Sequence, residues 1–152
     1  MGIKDEPFVV AQSVSVEGDP YNTDTEGVIL LPDDSIPKVV LSVDVCIKQP
    51  ERTQVCIDTM AQIAVVGITF LSNPIDMTYE IHRNGNRIAI INDQMEFASN
   101  APGARHTNFP NFPILDNNPY AGINTYDLVC TAVTGFNNFV ASRSLKVTVF
   151  TV

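Results

Sequence analysis

Three cysteines and two histidines carry most of the reactive chemistry available to this chain. Cys46 and Cys56 are spaced symmetrically about Glu51, and a hairpin turning at Gln49 to Arg52 would set them opposite one another. From there they could join each other in a disulfide or cross-link to another subunit, although opposed positions in regular antiparallel strands strain disulfide geometry. Cys130 shares a strand face with Tyr126, Leu128 and Ala132, the setting of a buried free thiol. An odd total leaves at least one thiol free or intermolecular. No Cys-x-x-Cys pair occurs, and zinc is not expected. His82 falls beside Glu80 on the polar face of a strand and His106 in a long loop, ordinary places for surface histidines. Asp93 and Glu96 form a carboxylate pair that nothing in the sequence sets across a cleft. Nucleophile-elbow, phosphate-loop, dinucleotide and zinc-protease motifs are missing, so no catalytic residue, cofactor or small-molecule substrate is expected.

One segment invites comparison with a calcium loop. Asn22 to Asp33 places oxygen side chains at its first, third and fifth positions, glycine at the sixth, an aliphatic residue at the eighth and an acid at the twelfth. The fifth position is Glu26, the twelfth is a short aspartate, and no helices flank the segment. An acidic, solvated linker is the expected reading, with no metal.

The elements that must position these groups are strands. Met77, Tyr79 and Ile81 alternate with Thr78, Glu80 and His82; Asn84-Gly85 supplies a two-residue hairpin turn, and Arg87 to Ile91 returns. Val39 to Ile47 and Thr53 to Thr59 also alternate with a period of two. Ala61 to Leu71 is almost continuously apolar and reads as a central strand with a bulge at Gly67, a buried helix over 57–71 being the competitor. Four prolines make residues 99 to 122 loop-heavy, with Phe109 and Phe112 plugging one end and Pro113 to Asp116 a short edge strand. Thr125 to Val133 and Val140 to Phe150 close the set. Eight or nine strands with turns between them predict an all-β, antiparallel two-sheet sandwich, of a size at which jelly rolls are common.

Before that body comes an arm. Phe8 to Val16 has Val10, Val14 and Val16 on one side and Val9, Ala11, Ser13 and Ser15 on the other, and a polar, turn-rich segment separates it from Val28. Residues 1–27 are therefore expected as an N-terminal arm and linker and residues 28–152 as the sandwich. The strand on this tether can pair with its own sheet or with a neighbour's.

The charge is uneven. Of the net −8, residues 1–34 hold eight acids against Lys4, and the remainder holds nine acids against eight bases. No basic patch is available to release counterions from phosphates, so neither nucleic acid nor an anionic membrane is an expected partner. No run approaches the roughly 18 apolar residues of a membrane helix. The start lacks the basic and apolar regions of a signal peptide, which fits either a processed leader or synthesis without a secretion signal.

Thr78-Tyr-Glu-Ile-His-Arg-Asn-Gly-Asn, Thr107-Asn-Phe-Pro-Asn-Phe, Asn124-Thr-Tyr-Asp-Leu and Ser142-Arg-Ser-Leu-Lys-Val together resemble small jelly-roll proteins of bacterial spore surfaces. These include exosporium proteins and endospore appendage subunits, with a fold related to tumour-necrosis-factor-like domains. The resemblance covers roughly residues 39–150. It implies a structural subunit, extracellular and on a cell or spore surface, that polymerises with itself into a pilus-like filament. Appendage subunits of this kind are similar in having a connector before the jelly roll, in some members linked by disulfides. Here the first 45 residues hold no cysteine, so any such connection would be noncovalent. The expected donor strand is the arm, with Phe8, Val10, Val14 and Val16 meeting a neighbouring sandwich and Cys46, Cys56 and Cys130 as candidate cross-links. The alternative is a trimeric tumour-necrosis-factor-like head recognising a receptor or glycan through residues 99–122.

Overall fold

A computed structural model describes residues 6–67, 73–97, 105–133 and 137–152. Its strands are β1 (Phe8–Val14), β2 (Ile29–Leu31), β3 (Lys38–Ile47), β4 (Thr53–Val66), β5 (Asn73–Arg83), β6 (Asn86–Phe97), β7 (Arg105–Asn108), β8 (Ile114–Asp116), β9 (Gly122–Ala132) and β10 (Asn137–Thr151). One antiparallel sheet has the order β1-β10-β4-β7, with β2 also on β10 and β8 also on β4; the other is β3-β9-β5-β6. β1 and β2 lie end to end along one edge of β10, at residues 143–149 and 138–140. β7 and β8 likewise share one edge of β4. Counting each pair as a single strand leaves two four-stranded sheets joined as in a jelly roll.

The alternation read from the sequence becomes the core. Val43, Val45 and Ile47 of β3, Val55, Ile57 and Ile63 of β4, Met77 and Ile81 of β5, Tyr126 and Leu128 of β9, and Leu145 and Val147 of β10 point between the sheets and are buried. Each such side chain contributes roughly 1.5–3 kcal/mol by leaving water. The hairpin turns at Asn84 and Gly85 with φ of 50° and 80°, the left-handed pair that Asn-Gly tolerates. Its tip is stitched to β9: the Asn84 backbone N–H donates to Thr125 O, and the Asn84 side-chain oxygen accepts from Thr125 N.

Three expectations change. β3 and β4 are not a hairpin, because Pro50–Arg52 forms a single 3-10 turn that carries the chain from one sheet to the other. β4 is one continuous strand of 14 residues that ends at Val66, just before Gly67, where a bulge was expected; Ile68–Leu71 lie outside the described residues. Phe112 packs against the core, but Phe109 is exposed.

Candidate functional site

The arm lies on the chain's own sheet. Its seven residues pair antiparallel with β10, from Phe8 opposite Val149 to Val14 opposite Arg143. Val10 and Val14 are half-buried against the core, whereas Phe8 is 59% exposed. Val16 lies just past the strand, half-buried, and its backbone N–H donates to Ser142 Oγ. Between the valines, inward-facing Gln12 crosses to the other sheet, where its side-chain oxygen accepts from Ser42 N at 3.0 Å. β3 is an edge strand there, so Gln12 satisfies a backbone donor that would otherwise face a missing neighbour. Half-burial of two valines stabilises docking by roughly 1.5–3 kcal/mol, a small sum beside the rest of the core.

Residues 15–28, between β1 and β2, are mostly exposed but make an excursion anchored to the sheet at several points. Tyr21 Oη and Thr107 Oγ1 of β7 share a hydrogen bond of 2.5 Å. Arg105 lies over the Tyr21 ring at 4.7 Å and reaches Asp19 at 3.6 Å. Ala64, opposite Thr107 and Phe139 in the sheet, is buried on this outer side. At the return, Arg143 is buried on β10 beside a register shift and, among the described residues, donates to three carbonyls: Nε to Val40 O at 3.0 Å, and Nη1 to Gly27 O and Ala141 O at 2.8 Å each. Burial pulls its guanidinium below the ordinary arginine value, partly offset by Cys130. One side chain thus ties the excursion, β3 and the β10 irregularity together. Gly27, at φ 88°, is packed so closely that a Cβ would meet Val14 at 3.0 Å.

A second polar cluster holds the opposite end of the sandwich. Arg83 Nη1 donates to both oxygens of Asp116, at 2.8 and 2.7 Å, and to Asn118 O at 2.7 Å, with Tyr120 stacked on the guanidinium at 4.3 Å. Tyr126 Oη donates to the same carboxylate at 2.8 Å. Asn124 Nδ2 donates to Tyr120 O, and its oxygen accepts from Tyr120 N. Burial alone would lower the Arg83 value, but Asp116 outweighs it and the net shift is upward. The cluster fastens the β8–β9 loop to β5 and β9.

The remaining residues singled out by type are scattered. All three cysteines are free. Cys46 is exposed opposite Ile123 of β9, and Cys56 lies on the other sheet between Thr148 and Leu115, so the two do not face each other as a hairpin would have had them. His82 Nε2 sits 2.5 Å from Glu80 Oε2, and both side chains are largely covered. His106 lies in β7. Asp93 accepts a short hydrogen bond from Asn108 Nδ2, while the Glu96 side chain lies outside the described residues. In the segment compared with a calcium loop, the Asn22 side-chain oxygen is taken by Asp24 N. Among the described residues no three histidine, cysteine or acidic side chains converge as a metal site would require.

Cys130 is fully buried, and burial pushes its thiol from 9.0 up to about 12, with Arg143 pulling weakly the other way. Two results are expected. Maleimide at neutral pH should modify Cys46 readily and leave Cys130 untouched until the chain unfolds. Stability should also fall as pH rises from 9.0 towards about 12, where the unfolded thiol has lost its proton and the folded one has kept it. Denaturant titrations across that range check the slope, which Cys130→Ala should reduce. Tyr126 and Tyr79, also pushed up by burial, extend the loss to higher pH.

No protein-family model matches the sequence, and no curated protein matches it. Among solved structures, dimeric latent PorU from Porphyromonas gingivalis is similar at a TM-score of 0.52 and 12% identity, over 96% of this chain and 13% of that one. The infectious bursal disease virus Gx strain structure is similar at 0.51 and 10% identity, over 95% of this chain and 32% of that one. The chain therefore spans only a minor part of each of these proteins. At such identities the likeness is one of fold, and the fold shared is an antiparallel β-sandwich.

Proposed function

We propose that this chain is a structural subunit of an extracellular or spore-surface filament, assembled when β1 leaves its own β10 and pairs with the β10 of a neighbour. The observation that carries this reading is the shallow docking of β1. Seven ladder pairs, two half-buried valines and the Gln12 contact hold it, and Phe8 and Val9 are exposed. The same contacts form whichever copy supplies the strand, so exchange trades equal bonds and is set by concentration and by the reach of the connection. With its anchors at Tyr21 and Gly27 released, the segment of residues 15–28 could span about 50 Å fully extended. A head-to-tail exchange that does not close on itself propagates as a fibre. The resemblance to spore-surface jelly rolls supports the same reading.

Deleting residues 1–17 is expected to leave a folded monomer that no longer assembles, and a peptide of residues 6–17 should bind it. Electron microscopy of stained protein beside light scattering checks both. Assembly unchanged by the deletion would sink strand donation, and a discrete three-chain species without polymers would favour the trimeric head.

A further inference from the structure

The outer face of the β1-β10-β4-β7 sheet is covered unevenly by the chain itself. Towards β2, Ala64 and Phe139 lie on this side and are buried, beneath the anchored excursion. At the other end no segment of the described residues covers it. There Val9 is 52% exposed, Leu115 51% and Phe150 37%.

Strand register puts these residues in rows. One row runs Val9, Thr148, Cys56, Leu115 across β1, β10, β4 and β8. The next runs Ala11, Lys146, Asp58, with Pro113 lining the same groove of about 420 Å³. Lys146 and Asp58 are 3.7 Å apart and half-exposed. Each row is balanced about a line along the strands, midway between β10 and β4. A 180° rotation about an axis parallel to that line, lying above the face, would bring Leu115 of one copy over Val9 of the other and Cys56 over Thr148. It would also set Asp58 over Lys146, twice. This is the self-complementarity that an isologous interface requires.

Charge favours the same face. Two copies at net −8 repel unless they meet where the surface is locally neutral. Among the described residues, the uncovered end of this face carries one cation and one anion, Lys146 and Asp58, while Arg105 and Asp19 lie at the covered end. The outer face of the β3-β9-β5-β6 sheet carries Asp44, Asp76, Glu80 and Asp127 against His82 and Arg87.

We propose that this face is a self-association surface, on which a second copy of the chain packs sheet to sheet about that two-fold axis. At strand spacing the four-strand row is about 15 Å wide, less than a standard interface. The contact is therefore weak and reversible for single copies, and becomes persistent where many copies are held side by side. It is separate from strand exchange, since it uses the face of the sheet and leaves β1 on β10.

The test is sedimentation equilibrium on the full chain, using the monomer-sized fraction cleared of polymers. The native protein should show a rapid, concentration-dependent dimer. Leu115→Asp should abolish it, and Asp58→Lys or Lys146→Asp alone should weaken it about tenfold. Combining Asp58→Lys with Lys146→Asp should restore it, because the facing charges are again opposite. All three positions lie on the outer face, so unchanged thermal unfolding confirms the fold of each variant. A native chain that stays monomeric at every concentration reached, or a dimer indifferent to Leu115→Asp and to the charge exchange, overturns the proposal. Slow polymers that persist in Leu115→Asp but vanish on deleting residues 1–17 keep the two readings separable.

Discussion

Asp116→Ala is expected to cost about 3–5 kcal/mol, the largest loss predicted for any single polar substitution in this chain. The side chains of Asp116 and Arg83 are only 6% and 11% exposed, so their attraction is little screened by water. Removing the carboxylate strips Arg83 of its only carboxylate partner among the described residues and leaves Tyr126 Oη without its acceptor inside the protein. The penalty is that of an uncompensated buried charge and an orphaned hydroxyl together. Tyr126→Phe removes one donor while Arg83 keeps the carboxylate satisfied, and should cost only about 1–2 kcal/mol. Replacing Arg83 and Asp116 together with apolar residues of similar volume should recover much of the loss, because no charge is then left buried alone. Urea unfolding of the three variants beside the native chain measures this directly. An Asp116→Ala loss below that of Tyr126→Phe would show the cluster to be ornamental.

That cluster was invisible in the sequence, and the reason is physical. Its members come from β5, β8 and β9, with Arg83 and Asp116 33 residues apart. Periodicity says which face of a strand is buried and nothing about which strands meet. The hairpin at Asn84-Gly85 was legible because its chemistry is local: two residues that accept positive φ between two alternating runs. The crossing at Pro50–Arg52 was not, since a short turn between alternating strands looks the same whether the chain returns to its sheet or enters the opposite one. The placement of Cys46 opposite Cys56 across a hairpin fell with it. On the arm, Val10 and Val14 read correctly as the inward side, but Gln12 between them was passed over. A polar residue on an apolar face was the available signal, as was Arg143 in line with Leu145, Val147 and Val149. Each of those two side chains satisfies backbone groups on β3, where the sandwich closes without a strand ladder.

Arg143→Met is expected to cost about 2–4 kcal/mol and, more informatively, to free the arm. Three carbonyls lose their donor, those of Val40, Gly27 and Ala141, and methionine fills much of the space while offering no N–H. The buried cation is already disfavoured by its surroundings, which lower its proton affinity, so part of the loss is returned when the charge is removed. The consequence for assembly runs through Gly27. With Arg143 in place, the excursion is fixed at its return to β2, and only the residues just after Val14 can act as a hinge. Without it, the fixed points are Tyr21 on Thr107 and Asp19 on Arg105, both partly or largely solvent-facing and weakly held. β1 should then open more often and reach further. Hydrogen exchange should accelerate across residues 8–14 and 138–149, while Tyr126 and its neighbours on β9 keep native protection. If β1 is the donor, the same variant should form polymers sooner at equal concentration, even though its monomer is less stable. A destabilised monomer with slower assembly and unchanged exchange at β1 would separate the buried arginine from the strand it adjoins.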